Sequence, residues 1–270
     1  MGQSTRIDWC DATWNPVTGC YHGCEYCYAR NIAKRFSCEG QTLDAPAELQ
    51  RVWLEDGGAD LRQEGCHVLR YPVRLLDSGR ICPYPFAFAP TLHRYKLDEP
   101  QKWTRPRTIF VCSMADLFGE WVPDEWIKAV FDACKDAPQH RYLFLTKNPD
   151  RYNELAKKGM LPMNHWYGYT ATREDMLWRF KHADYCEVKN LFVSIEPIQE
   201  HMNPGFCSHV PADWVIIGAE TGHRKGKVIP EKKWIDDIAM ECEYSGRPIF
   251  MKESLRELMG GDFRQEFPWR

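Results

Sequence analysis

Three cysteines near the start of the chain, Cys20, Cys24 and Cys27, stand in a C-x3-C-x2-C array with the aromatic Tyr26 just before the last of them. Thiolates at this spacing suit an iron-sulfur cluster. Three protein ligands leave one iron of a [4Fe-4S] cluster open, and an open coordination position is where a substrate or cofactor binds, as it is in catalytic zinc sites. A zinc knuckle is the competing reading; it needs a fourth ligand, and His22 inside the array offers one. Plain packing accounts for the array less well, because Gly19 and Gly23 flank the thiols and bring no side chains to a core.

The elements that must position this array follow from apolar periodicity. Residues 86–90, 108–113, 141–146, 166–170, 190–195, 214–218 and 248–252 read as strands. Several are apolar on both faces, as a buried parallel strand requires. Between them, residues 123–136 place Trp126, Ile127, Val130, Phe131 and Cys134 on one helical stripe, with Pro123 suited to the first turn. Residues 230–244 do the same through Trp234, Ile235, Ile238 and Cys242. This alternation is that of βα units on a mostly parallel sheet. With a short strand before Gly19, it predicts an α/β fold, a partial or nearly closed (β/α) barrel, as one domain over residues 1–270.

An inserted segment at residues 37–83 departs from that pattern. It contains Glu39-Gly40-Gln41, Leu54-Glu-Asp-Gly-Gly58 and the basic, apolar stretch Val68 to Leu76. Connections of this length are uncommon unless functional or disordered, which predicts a lid over the cluster or a surface for a partner.

In (β/α) barrels the reacting groups sit at the carboxyl ends of strands. The polar residues there are Ser113, Asp116, Thr146, Lys147, Thr170, Thr172, Ser194, Glu196, Glu220, Lys252 and Glu253. Asp116 and Ser113 serve equally well as turn caps. Glu196, ahead of Pro197, has its carboxylate held at a strand end, where it binds a ligand or pairs with Lys147. Glu220 lies where the backbone turns sharply, a place for a cofactor or substrate ligand, while Lys147 and Lys252 suit an anionic group. Cys112 is a candidate hydrogen-atom donor only if it, and not Ser113, points into the barrel.

The net charge is −3, so no global basic field announces nucleic-acid binding. No secretory signal and no apolar run of the roughly 18 residues a membrane span needs are present, and a cytoplasmic protein without membrane contact is expected. The twelve cysteines then point to reduced thiols and metal ligands before a disulfide framework. Cys10, Cys134, Cys186, Cys207 and Cys242 read as small hydrophobes, and Cys38, Cys66 and Cys82, all in the insertion, form a candidate second ligand set.

The cysteine array, with Tyr26, resembles the signature of the radical S-adenosylmethionine (SAM) superfamily. The blocks Asp11 to Cys20, Phe110 to Phe118, Leu145 to Arg151, Val193 to Pro197 and Trp214 to Glu220 resemble a phage- and mobile-element-associated family of radical-SAM-like proteins of unassigned reaction, over residues 7–254. The resemblance implies a [4Fe-4S] cluster on Cys20, Cys24 and Cys27, S-adenosyl-L-methionine chelated to the fourth iron and reductively cleaved there, and hydrogen abstraction from a substrate. It also implies Tyr26 near the adenine and an electron donor, of which a flavodoxin or ferredoxin is the expected class; by their places at strand ends, Ser113, Ser194, Glu196, Glu220 and Lys252 are the expected polar contacts. Eleven tryptophans, twelve tyrosines and 35 Lys and Arg are compatible with a nucleic-acid or nucleotide substrate, although the overall charge opposes it. A small molecule or peptide is the competing substrate. The rival from another class is a zinc- or cluster-stabilised nucleic-acid-binding module without catalysis.

Overall fold

The computed structural model describes residues 5, 7–38, 40–41, 43, 50–51, 65–181, 188–203, 205 and 210–270. Glu39, the stretch Leu54 to Gly58, Cys186 and Cys207 lie outside the described residues. The chain divides into two compact units, one of residues 1–4 and 10–142, the other of residues 5–9 and 143–270.

The first unit carries β1 (Ala12–Trp14), β2 (Val17–Thr18), α1 (Tyr28–Arg35), β3 (Gln50–Arg51), β4 (His67–Leu69), β5 (Thr91–His93), β6 (Thr108–Val111), α2 (Asp124–Lys135) and the start of β7 (Arg141–Thr146). The second continues through α3 (Asp150–Lys157), β8 (Trp166–Thr170), α4 (Glu174–Lys181), β9 (Leu191–Ile195), β10 (Trp214–Ile217), α5 (Lys232–Tyr244), β11 (Ile249–Met251) and α6 (Arg256–Met259). The main sheet has the order β1-β6-β7-β8-β9-β10-β11. Its registers are parallel, with Ala12 opposite Ile109, Leu143 opposite Trp166, Tyr167 opposite Leu191, Trp214 opposite Phe192 and Val215 opposite Ile249. Parallel strands joined through helices give the α/β architecture of a partial (β/α) barrel, as expected.

The strands form where the sequence is apolar on both faces: every residue of β6, β9, β10 and β11 is buried. In α2 the stripe Trp126, Ile127, Val130, Phe131 and Cys134 is buried, and Asp124 and Glu125 in the first turn complement the helix dipole. In α5, Ile235, Ile238 and Cys242 are buried, while Trp234 is half-buried. Carboxylates receive the first amides of three strands: Asp11 accepts from Thr108 at 2.7 Å, Asp213 from Leu191 at 2.9 Å and Glu266 from Ile249 at 3.0 Å. Among the described residues no helix is long and apolar enough to cross a membrane.

The stretch 86–90 is not a strand. Ala87 has φ +52°, and successive turns close through Ala87 N–H to Tyr84 O and Ala89 N–H to Phe86 O. Pro83 and Pro85 remove the amides a ladder needs, and Phe86 stacks on His67 with ring centroids 3.6 Å apart. The strand begins afterwards, as β5, in a second sheet of order β2-β5-β4-β3. The described part of the insertion contributes to that sheet. Beyond β4 it turns back as a hairpin, with Leu75 N–H donating to Arg80 O at 2.9 Å and Cys82 N–H to Val73 O at 2.8 Å.

Two cysteines of the insertion correct the expectation of reduced thiols. Cys38 and Cys82 form a disulfide, packed with Leu69, Val73 and Leu75. Cys66 instead donates to the Trp121 carbonyl at 3.6 Å. With two of the three bonded to one another, the second ligand set does not exist.

Candidate metal centre

The cysteine loop leaves β2 through Gly19, which has φ +91° and runs so close to the turn at 86–89 that a Cβ would lie 2.2 Å from the Ala89 carbonyl oxygen. Only glycine fits both demands. Main-chain bonds fix the exit: Gly19 N–H donates to Met114 O at 2.9 Å and Cys20 N–H to Phe88 O at 3.1 Å. Beyond Cys20, Gly23 turns the chain with φ +71°. Cys27 closes the loop as the N-cap of α1, its sulfur accepting the Arg30 amide at 3.3 Å.

Side chains bind this loop to the segment after β6. His22 Nε2 lies 2.7 Å from Asp116 Oδ2, and its ring meets Trp121 edge-on at 4.8 Å. The Tyr21 ring meets the same indole at 5.5 Å. Tyr28 Oη donates to Ser113 O at 2.8 Å, while Asn15 Oδ1 accepts from Ser113 Oγ and from Met114 N–H. Asp116 caps its own turn as well, Oδ1 accepting the Phe118 amide at 3.0 Å.

The donor set fits a cluster. Cys20, Cys24 and Cys27 are half-buried and none is in a disulfide. Burial, then the Asp116 charge, pushes the Cys20 thiol up to about 12, with the other two thiols adding to the rise and the His22 amide opposing it. Metal must therefore displace that proton on binding. Among the described residues no group of three or more His, Cys, Asp or Glu side chains is placed so as to hold a metal ion. His22, the candidate fourth ligand, has its Nε2 engaged by Asp116.

In the second unit, polar residues gather at strand ends. Lys252 and Glu196 form an ion pair over Gly218, where a Cβ would come 3.0 Å from Lys252 Cδ. Arg224 grips both oxygens of the buried Glu220, at 2.7 and 2.8 Å, and holds that carboxyl below its ordinary range. Thr146 Oγ1 accepts the Asn148 amide at 2.9 Å beside Lys147, and Thr172 Oγ1 donates to Met176 Sδ at 3.4 Å. Ser194 is buried within β9, opposite Ile216. Such pre-ordered carboxylates, each with a cation already on it, suit ligand hydroxyl or amino groups.

A family model described as "Protein of unknown function (DUF5131)" matches residues 4–257. The chain belongs to the DUF5131 family. No curated protein matches it. Among solved structures, spore photoproduct lyase complexed with dinucleoside spore photoproduct has a TM-score of 0.48 at 10% identity, over 99% of this chain and 79% of that one. A variant of the lyase with bound AdoMet and dinucleoside spore photoproduct scores 0.47 at 10% identity, with the same coverage.

In this DUF5131 chain three contributors escaped the sequence reading. Asn15, Trp121 and Arg224 organise the loop and Glu220, and only Arg224, four residues after Glu220, carried a local signal. Cys112 leaves β6 with φ +60° and is fully buried; the Val17 amide donates to its sulfur, and burial pushes the thiol up to about 12. Burial raises the thiol of Cys134, on the buried face of α2, well above its ordinary value, and the Cys112 thiol adds to the rise.

Proposed function

We propose that this chain is a single-domain radical SAM enzyme acting on a nucleic-acid or nucleotide substrate. The observation that carries the reading is the loop of Cys20, Cys24 and Cys27, none of them in a disulfide, with His22 beside them held at Nε2 by Asp116. The three thiols hold a [4Fe-4S] cluster. When bound, the cluster and SAM supply a strongly oxidising carbon radical for hydrogen abstraction. The chain's own work is binding, orientation and exclusion of water.

Tyr26, next to a ligand cysteine, contacts the adenine. Ser113, which is fixed by Asn15, and Ser194 are assigned to polar contacts with SAM or substrate, as are Glu196 and Lys252. Glu220, kept ionised by Arg224, accepts hydrogen bonds from ligand hydroxyls. Lys147 is assigned to an anionic group of the substrate. Support for the substrate class comes from the hairpin of the first unit, which exposes Tyr71 beside Arg70, Arg74 and Arg80, the pairing of stacking surface and positive charge that strand binding uses.

Anaerobic reconstitution with iron and sulfide tests the reading. Equal amounts of bound iron and labile sulfide are expected, with release of 5′-deoxyadenosine on adding dithionite and SAM, and loss of both in Cys24→Ala. Tight zinc without sulfide would overturn it.

A further inference from the structure

The loop after β10 starts beside the ion pair of Glu196 and Lys252, and Ala219 N–H ties it to the residues after β11 by donating to Ser254 Oγ at 3.0 Å. It then closes on itself. Lys227 Nζ donates to Gly222 O at 3.0 Å, Lys227 N–H to Arg224 O at 3.3 Å, and Arg224 Nη2 to Gly226 O at 3.5 Å. Gly222 and Gly226 make the bends with φ +86° and +78°, a region that favours glycine. The amides of Thr221, Gly222, His223, Lys225 and Gly226 donate to no acceptor among the described residues, and all five residues are exposed.

We infer that this loop, residues 221–227, binds a phosphate group of the substrate. Residues 218–230 carry Arg224, Lys225 and Lys227 against a single carboxylate, Glu220, a net +2 on a chain whose net charge is −3. Arg224 already occupies both oxygens of that carboxylate. Lys225 and Lys227 are left without a carboxylate partner among the described residues. Main-chain N–H groups presented around positive-φ residues make concavities that take anions, and an ammonium group is a point-charge partner for a phosphate oxygen. A carboxylate ligand fits less well, because its planar match is a guanidinium and the one guanidinium here is committed to Glu220.

Position narrows the ligand. The loop leaves the carboxyl end of β10, the rim where (β/α) barrels hold their substrates. Glu220 at its start is kept ionised, and its charge neutralised, by Arg224, so it accepts from a hydroxyl without repelling an anion nearby. Hydroxyl and phosphate side by side are the features of a sugar phosphate, free or within a strand. That the phosphate belongs to a substrate rests on the enzymatic reading above; that the loop takes phosphate does not.

The test titrates the reconstituted protein with inorganic phosphate, ribose 5-phosphate, ribose and a short single-stranded oligonucleotide without terminal phosphate, following binding by calorimetry. The variants are Lys225→Gln, the double variant Lys225→Gln, Lys227→Gln, and, as a control for overall charge, Lys102→Gln, whose lysine pairs with Asp98 in the first unit. The parent is expected to bind ribose 5-phosphate more tightly than ribose, to release it to excess inorganic phosphate, and to bind it more weakly in added salt. Lys225→Gln should weaken binding about three- to tenfold and the double variant further, with Lys102→Gln unchanged. Oligonucleotide binding that falls with the same substitutions assigns the phosphate to a strand, and binding of the sugar phosphate alone assigns it to a small molecule; either upholds the loop. Equal affinity for ribose and its phosphate with no oligonucleotide binding, or an affinity unaltered in Lys225→Gln or lowered as much in Lys102→Gln, overturns it. Because Lys227 also clasps Gly222, Lys225→Gln decides alone if the double variant melts at a lower temperature. Dithionite-driven SAM cleavage on the same protein separates the two readings: cleavage without phosphate binding overturns the loop only, and phosphate binding without cleavage overturns the enzyme only.

Discussion

His22 and Asp116, 94 residues apart in sequence, meet at 2.7 Å and fasten the cysteine loop to the turn after β6. The Asp116 carboxylate is buried, and its second oxygen holds the Phe118 amide. Asp116→Ala should strand both donors and cost about 1–3 kcal/mol in urea unfolding. The same variant should retain less iron after desalting, and Asp116→Asn, which keeps one acceptor, should fall between it and the parent.

Gly19 and Gly79 separate two costs of adding a methyl group. Both have positive φ, but a Cβ at Gly79 meets nothing within 4 Å, whereas one at Gly19 meets the Ala89 backbone. Gly79→Ala should cost only the backbone preference, about 1–2 kcal/mol. Gly19→Ala should cost more, lower the melting temperature further and reduce cluster loading; equal effects would contradict the close approach.

The disulfide closes a loop of sequence separation 44. In the chain-entropy account that constraint stabilises the first unit by about 4 kcal/mol. Cys38→Ser with Cys82→Ser should lower the urea midpoint accordingly and abolish any further response to dithiothreitol.

Acid should weaken both units through buried histidines. Burial, aided by Lys96, lowers the pKa of His93 to about 3, with its ring nitrogens facing Thr18 Oγ1 and Tyr95 Oη. Burial lowers that of His165 to about 4. The unfolded chain binds these protons near pH 6.5, so below that value it holds more protons than the native state and stability falls with falling pH. The loss approaches about 1.4 kcal/mol per pH unit for each histidine until the folded pKa is reached. Urea midpoints at pH 7.5, 6.5 and 5.5 check this; His93→Gln should flatten the slope of the first unit.

Legibility in the sequence followed locality. The runs of β6, β9 and β10 stand out because both faces are buried, and the cysteine array because its members lie within eight positions. The stretch 86–90 misled, since its apolar side chains pack from turns set by proline and by Ala87. The Cys38 to Cys82 pairing, the hold of Asp116 on His22 and the role of Asn15 join segments that only folding brings together. Those links leave no periodic trace. Glu220 was selected by its place after a strand, but its cation came from the following loop.

Two main-chain amides already face the sulfurs of this loop, His22 N–H toward Cys20 at 3.5 Å and Arg30 N–H toward Cys27 at 3.3 Å. Hydrogen bonds to ligating sulfur help to set the reduction potential of an iron-sulfur centre. Because these donors are backbone, substitution of neighbouring side chains would leave that tuning in place for the proposed cluster, whose ease of reduction would follow from the path of the loop itself.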